Sequence, residues 1–259
     1  MEQQAVKFFV REDSIVRKIW GKADTVLFIF AGASAEFALN KSVDWLYFTG
    51  KIPADPIGRL FSTVSYARNI IFSDIHQALH TIDRMNSIHG AVEKSRGGKI
   101  PPHAFRDVLF MLIHYSIASF ELLEHPLSTE EKEEVVNVFT RVGRRMEIED
   151  LPSDYESWQK MYADHLSNNL ERSKYTDDLY VQYKKHLGVF RYYILLNVQW
   201  MIASAKVKSL LRLKRMAFFS SVISFYKLCK TIKIDGFLKN MLLPDAYRSE
   251  IRNLDIYPG

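Results

Sequence analysis

The chain has 259 residues, of which 47% are hydrophobic, with only 11 glycines and 8 prolines. That is enough apolar matter for a sizeable core and too little breaker content for a long flexible linker, so one globular domain over residues 1–259 is expected. The lone cysteine, Cys229, excludes an internal disulfide, and a net charge of +5 is too small to define a partner by itself.

Residues 1–13 carry acids and no apolar run long enough for an export signal, so a cytoplasmic protein is expected. Asp13 and Ser14 open a short helix that ends at Gly21. Residues 24–39 are apolar on most faces, which predicts a buried helix, yet they contain Glu36 and fall short of the roughly 20 apolar residues a membrane span needs. Phe28, Phe30 and Phe37 can pack a core or line a cofactor cavity.

Asp55-Pro56 is a strong helix start: aspartate caps free backbone N–H groups and proline at the first position loses no hydrogen bond. From there the spacing predicts an unbroken amphipathic helix to Val92. Its apolar stripe is Val64, Ala67, Ile71, Ile75, Ala78, Ile82, Met85 and Val92, and His89 fills the one gap. Two readings of His89 stand on spacing alone. It is a core histidine bonded to a backbone carbonyl, or it offers a ring nitrogen to a metal or haem iron from a rigid rod.

Asp55-Pro56, Arg59-Leu60, Thr63, Phe72, Ala78 and Ile88-His89-x-x-Val92 together resemble the signature of the MpaB-type oxygenases and the rubber oxygenases called latex clearing proteins. The similarity runs loosely from about Ser14 to about Arg248. It implies an all-helical haem b oxygenase, with His89 as the proximal iron ligand and Arg59 and Thr63 at the haem site. Dioxygen and a small apolar substrate, isoprenoid or lipid-like, are the implied reactants. Arg59 would meet negative charge on oxygen or hold a propionate, and Thr63 would donate to the same oxygen. A carbonyl near Met85 would fix the tautomer of His89. Without a Cys-x-x-Cys-His motif the haem is expected to be non-covalent. Latex clearing proteins place a lysine just before the threonine, where this chain has Ser62, so an open or water-ligated sixth iron position is expected. Many members carry Ala-His-Pro before the Asp-Pro, where this chain reads Leu39-Asn40-Lys41-Ser42. Rubber cleavage itself is not implied. The alternative is a non-catalytic helical haem- or lipid-binding protein, and a third reading leaves His89 as plain core.

Gly97-Gly98 and Pro101-Pro102 mark a break, and residues 104–123 form the next helix, with His114 a second inward candidate for the iron's other side or for substrate. Ser128 and Glu131 make a capping box for a helix to about Arg145; residues 151–156 repeat the device for one to about Leu170. A further helix starts after Thr176 and stops near Gly188, followed by apolar helical segments from Phe190 to about Lys230. The closing Leu242-Leu243-Pro244 to Arg248 resembles a family ending. No strand alternation is present, so the expected class is all-α, a multi-helix domain with a buried central helix.

His76, His80 and Asp83 share one helix face at a spacing that can bind zinc. Phosphate loops, dinucleotide fingerprints and serine-hydrolase elbows are absent. Residues 179–234 hold eleven Lys and Arg and no acid, against an acidic remainder. Its basic part, residues 206–233, reads as a solvated helix face, a peripheral membrane surface or a cradle for haem propionates. Nucleic acid is not expected, because no binding module is present.

Overall fold

The computed structural model describes residues 7–50 and 54–214. The fold is all-α; among the described residues the only extended pairings are isolated bridges, Phe8 with Asp74 and Asn40 with Leu170.

Helix α1, Ile15–Trp20, begins where the Ser14 hydroxyl accepts from the Val16 amide and ends at Gly21. Helix α2, Ala23–Phe37, is the buried centre: Val26, Ile29, Ala35 and even Glu36 are fully covered. Helix α3 is the short Asp44–Phe48. Helix α4, Pro56–Phe72, starts as its sequence requires, with the Asp55 carboxylate accepting from the Gly58 amide at 2.8 Å.

Here the chain departs from the single rod expected to Val92. Ser73 is extended, and the Asp74 side chain accepts from the His76 and Gln77 amides, opening a separate helix α5, Ile75–Arg96. The break is held from far away: the Ile75 amide donates to the Lys7 carbonyl at 2.8 Å, beside the Phe8–Asp74 bridge. A capping aspartate plus a distant strap outweighs the helix propensity of the junction. The apolar stripe holds through Val64, Ile71, Ala78 and Ile82, all buried, but Met85 and Val92 are only half-buried. The distal half of α5 thus leaves the core.

Helix α6, Pro102–Leu123, packs along α2 and is the second wall of the core. Their backbones approach closely at Gly32, where any Cβ would collide with the Tyr115 ring. Phe110, Tyr115 and Phe120 of α6 are buried with Trp20, Ile29 and Phe30; each such side chain contributes about 1.5–3 kcal/mol. Helix α7, Thr129–Arg145, packs on α6 and carries both hydrogen bonds of the expected Ser128–Glu131 capping box. Helix α8, Tyr155–Asn168, opens within the expected segment 151–156, with a capping box that pairs Asp154 with Ser157.

Helix α9, Lys174–Ile202, contains Gly188 at φ 73, ψ 166, outside helical values. The Tyr180 hydroxyl donates to Gln199 Oε1 at 2.9 Å, although nineteen residues of straight helix would hold the two about 28 Å apart. The chain therefore reverses at Gly188, and residues 174–187 and 189–202 form a helical hairpin laid on α2 through Tyr183 and Gln199, which bond to Ser34. Helix α10, Ala205–Leu211, follows. Cys229, the family-like ending at residues 242–248 and the basic segment beyond Lys214 lie outside the described residues.

Candidate functional site

The cap at Asp55 and the first turn of α4 place Arg59, Ser62 and Thr63 on consecutive turns. Arg59 Nη1 donates to Ser62 Oγ at 2.7 Å, and Ser62 in turn donates to the Arg59 carbonyl at 2.7 Å. Thr63 Oγ1 donates to the same carbonyl at a longer 3.3 Å. Ser62 thus clamps the arginine. Burial lowers the Arg59 guanidinium from its ordinary value, partly opposed by Tyr66, and no carboxylate pairs with it among the described residues.

His89 lies on the distal half of α5, facing Arg59 and packed on Phe105 of α6 with ring centroids 5.0 Å apart. Burial lowers its titration and the Arg59 cation lowers it further, against a smaller opposing pull from Glu93, so the ring is held neutral. Glu93 itself is engaged by Lys99 and the Ile100 amide. Nδ1 of His89 is buried and has no hydrogen-bond partner among the described residues. The carbonyl expected near Met85 does not take it, and neither does the backbone bond of an ordinary core histidine. Around the ring the helix is bare on one side, since a Cβ at Gly90 would meet nothing within 4 Å and Ile88 is 41% exposed.

The sequence reading missed a second constellation, buried between α2, α6 and α8. Glu36 accepts from Tyr162 at 2.6 Å, Tyr115 at 3.0 Å and His165 Nε2 at 3.0 Å. On the other side of the imidazole, Nδ1 lies 2.9 Å from Asp107 Oδ1, an ionic contact somewhat off the N–H axis. Asp107 also accepts from Asn40 at 2.8 Å and Asn169 at 3.0 Å. Burial works against a charged His165, but the bonds to Asp107 and Glu36 push it up to about 9. Burial likewise works to raise Asp107, and its bonds from His165, Asn40 and Asn169 hold it below the usual carboxylate value. Burial, then the Glu36 charge, keeps Tyr115 and Tyr162 protonated. One signal in the sequence could have found this group: a carboxylate in a helix otherwise apolar all round must be paired when buried.

His114 joins this second group, stacked on Tyr162 at 4.8 Å and edge-on to Tyr115, with Nε2 buried and unbonded. Burial lowers its titration as well, with Glu36 opposing. Its neighbours and those of His89 have no member in common. On the face where His76, His80 and Asp83 have a spacing that can bind zinc, both Asp83 oxygens bond Arg145 at 2.8 and 2.6 Å, and no group of three or more metal-ligating side chains occurs among the described residues. Phe28 and Phe30 pack in the core, and Phe37 packs half-buried against it.

Residues 20–223 match the family described as ER-bound oxygenase mpaB/B'/Rubber oxygenase, catalytic domain, and the chain belongs to that family. The match runs from the last residue of α1 through α10 and takes in both constellations. No curated protein and no solved structure matches the chain. No described helix is long and apolar enough to cross a membrane.

The residues near His89 fit a haem in kind. A neutral imidazole is the form that could ligate iron, and Arg59 is a cation that could meet a propionate.

Proposed function

We propose that this chain is a haem b-dependent oxygenase, using dioxygen on an apolar substrate of isoprenoid or lipid-like class, with its site built around residues 55–92. The observation that supports this best is His89: a half-buried, neutral imidazole whose Nδ1 has no protein partner, beside the Arg59 cation. When bound, haem b supplies the iron chemistry that activates dioxygen. His89 is the side chain that would hold the iron, and Phe105 fixes its ring plane from one side. Arg59 would neutralise a propionate or negative charge developing on a reactant, and its depressed basicity reflects a guanidinium already partly stripped of water, where such a contact is strongest. Ser62 keeps Arg59 folded against α4, and Thr63 can offer its hydroxyl only by releasing a long bond to the Arg59 carbonyl.

That last observation favours the second reading, a haem- or lipid-binding protein without catalysis, since both hydroxyls near Arg59 are occupied by backbone. Expression with a haem precursor followed by a pyridine haemochrome assay tests the cofactor, and a colourless protein ends the proposal. Oxygen uptake with a reductant and isoprenoid alkenes separates oxygenase from carrier: a haem-loaded protein that consumes no oxygen leaves only the second reading.

A further inference from the structure

We propose that the tip of the α9 hairpin is a membrane-surface anchor that inserts into an anionic lipid bilayer. The tip is apolar where a soluble protein has least reason to be. Val189 and Phe190, immediately after the reversal, are each 59% exposed, and Tyr193 is 45% exposed. Spaced three and four apart, Val189, Phe190 and Tyr193 adjoin on one face of the second arm. On the first arm Val181, 62% exposed, shares a face with Lys184, Lys185 and Gly188 at helical spacing. A Cβ at Gly188 would meet nothing within 4 Å among the described residues, so the turn stands clear of them.

The charge around this apolar knob selects its occupant. Lys184 and Lys185 are exposed and pair with no carboxylate among the described residues, and the chain carries no acid from Leu179 to Ile234. A valine–phenylalanine tip with a tyrosine at its edge and lysines behind it matches the layering of a bilayer surface: acyl chains outermost on the knob, then the aromatic interface, then anionic headgroups. A protein partner built for this knob would need an acid-ringed apolar socket, whereas every anionic membrane presents both parts. The placement is independent of haem, and it assigns contact to α9 rather than to the more C-terminal basic segment.

The test is sedimentation of the full chain with phosphatidylcholine vesicles, alone and with about one part in three phosphatidylserine. The parent is expected to sediment with the mixed vesicles. The V189D/F190D variant should lose about tenfold or more of that partition. The K184E/K185E variant should lose about tenfold on mixed vesicles and little on neutral ones. Lys18→Glu, a single charge reversal at an exposed site on α1, should leave partition unchanged. Circular dichroism of each variant checks the fold, and the lysine variant carries the test if the apolar one fails to fold. A parent that stays in the supernatant, or tip variants that sediment like it, overturns the proposal. So does a parent that elutes as a dimer and is split to monomer by V189D/F190D, which would make the knob a contact between copies.

Discussion

Two histidines of this protein sit in opposite surroundings. His165 is clasped by two buried carboxylates, themselves bonded by two tyrosines and two asparagines, and its proton is held up to about 9. His89 has a buried nitrogen bonded to nothing, a cation for a neighbour and a lowered titration. Most buried polar groups that serve the fold are hydrogen-bonded, because each one left open costs about 1–3 kcal/mol, although His114 Nε2 and Trp158 Nε1 are also open among the described residues. What sets His89 apart is the neighbouring Arg59 cation, which pairs with no carboxylate among the described residues, and on the function proposed above that leaves the ring free for a ligand. The difference teaches that position on an inward face does not identify a ligand; the state of its partners does.

The comparison breaks most visibly by deleting each ring. His165→Ala leaves Glu36 and Asp107 buried without their cation and should cost about 3–5 kcal/mol in urea unfolding. His89→Ala should change apoprotein stability by about 1 kcal/mol or less while abolishing haem uptake, read from the Soret band. Equal stability losses at the two sites, or equal pigment in His89→Ala and parent, would erase the distinction. Arg59→Met should lower oxygen uptake roughly 100-fold with the fold intact, because a partly desolvated cation without a carboxylate partner supports the site and not the core.

Smaller effects separate the histidines by the sign of their pH dependence. The raised His165 contributes stability that is complete below the unfolded imidazole value near about 6.5 and is lost as pH rises through about 9. Lowered His89 does the reverse: its contribution is present above about 6.5 and is lost as pH falls through its depressed folded value. Stability measured across pH should therefore lose its alkaline decline in His165→Ala and part of its acid decline in His89→Ala. The smallest change is expected from Thr63→Val, within about 0.5 kcal/mol, since the hydroxyl makes only a long bond back to its own helix.

Much of the fold was legible because its signals are local. The caps at Ser14, Asp55, Ser128 and Asp154 and the stop at Gly97, which adopts φ 72, are short-range chemistry, and each helix begins or ends where that chemistry says. The same rules were available at Ser73-Asp74, but a run of good apolar spacing across the junction hid a cap whose decisive support comes from the Lys7 carbonyl. Of the proposed site, His89 stood out by its spacing, whereas Arg59 and Thr63 came only from the family resemblance. That Ser62 clamps Arg59 while the His89 nitrogen lacks a partner was not.

Sequence alone was enough for the helical class, for the helix starts marked by local caps and for the segregation of basic residues toward the C-terminal part, because each depends on neighbours within a turn or two or on composition; the starts of α3, α5 and α10 were not legible. Only the tertiary structure decided that Glu36, Asp107 and His165 meet, that His89 faces Arg59, and that the α9 reversal exposes Val189 and Phe190. Those facts depend on where separate helices cross, and a hydrogen bond or a desolvated charge is fixed by distances of a few ångströms between residues far apart in the chain.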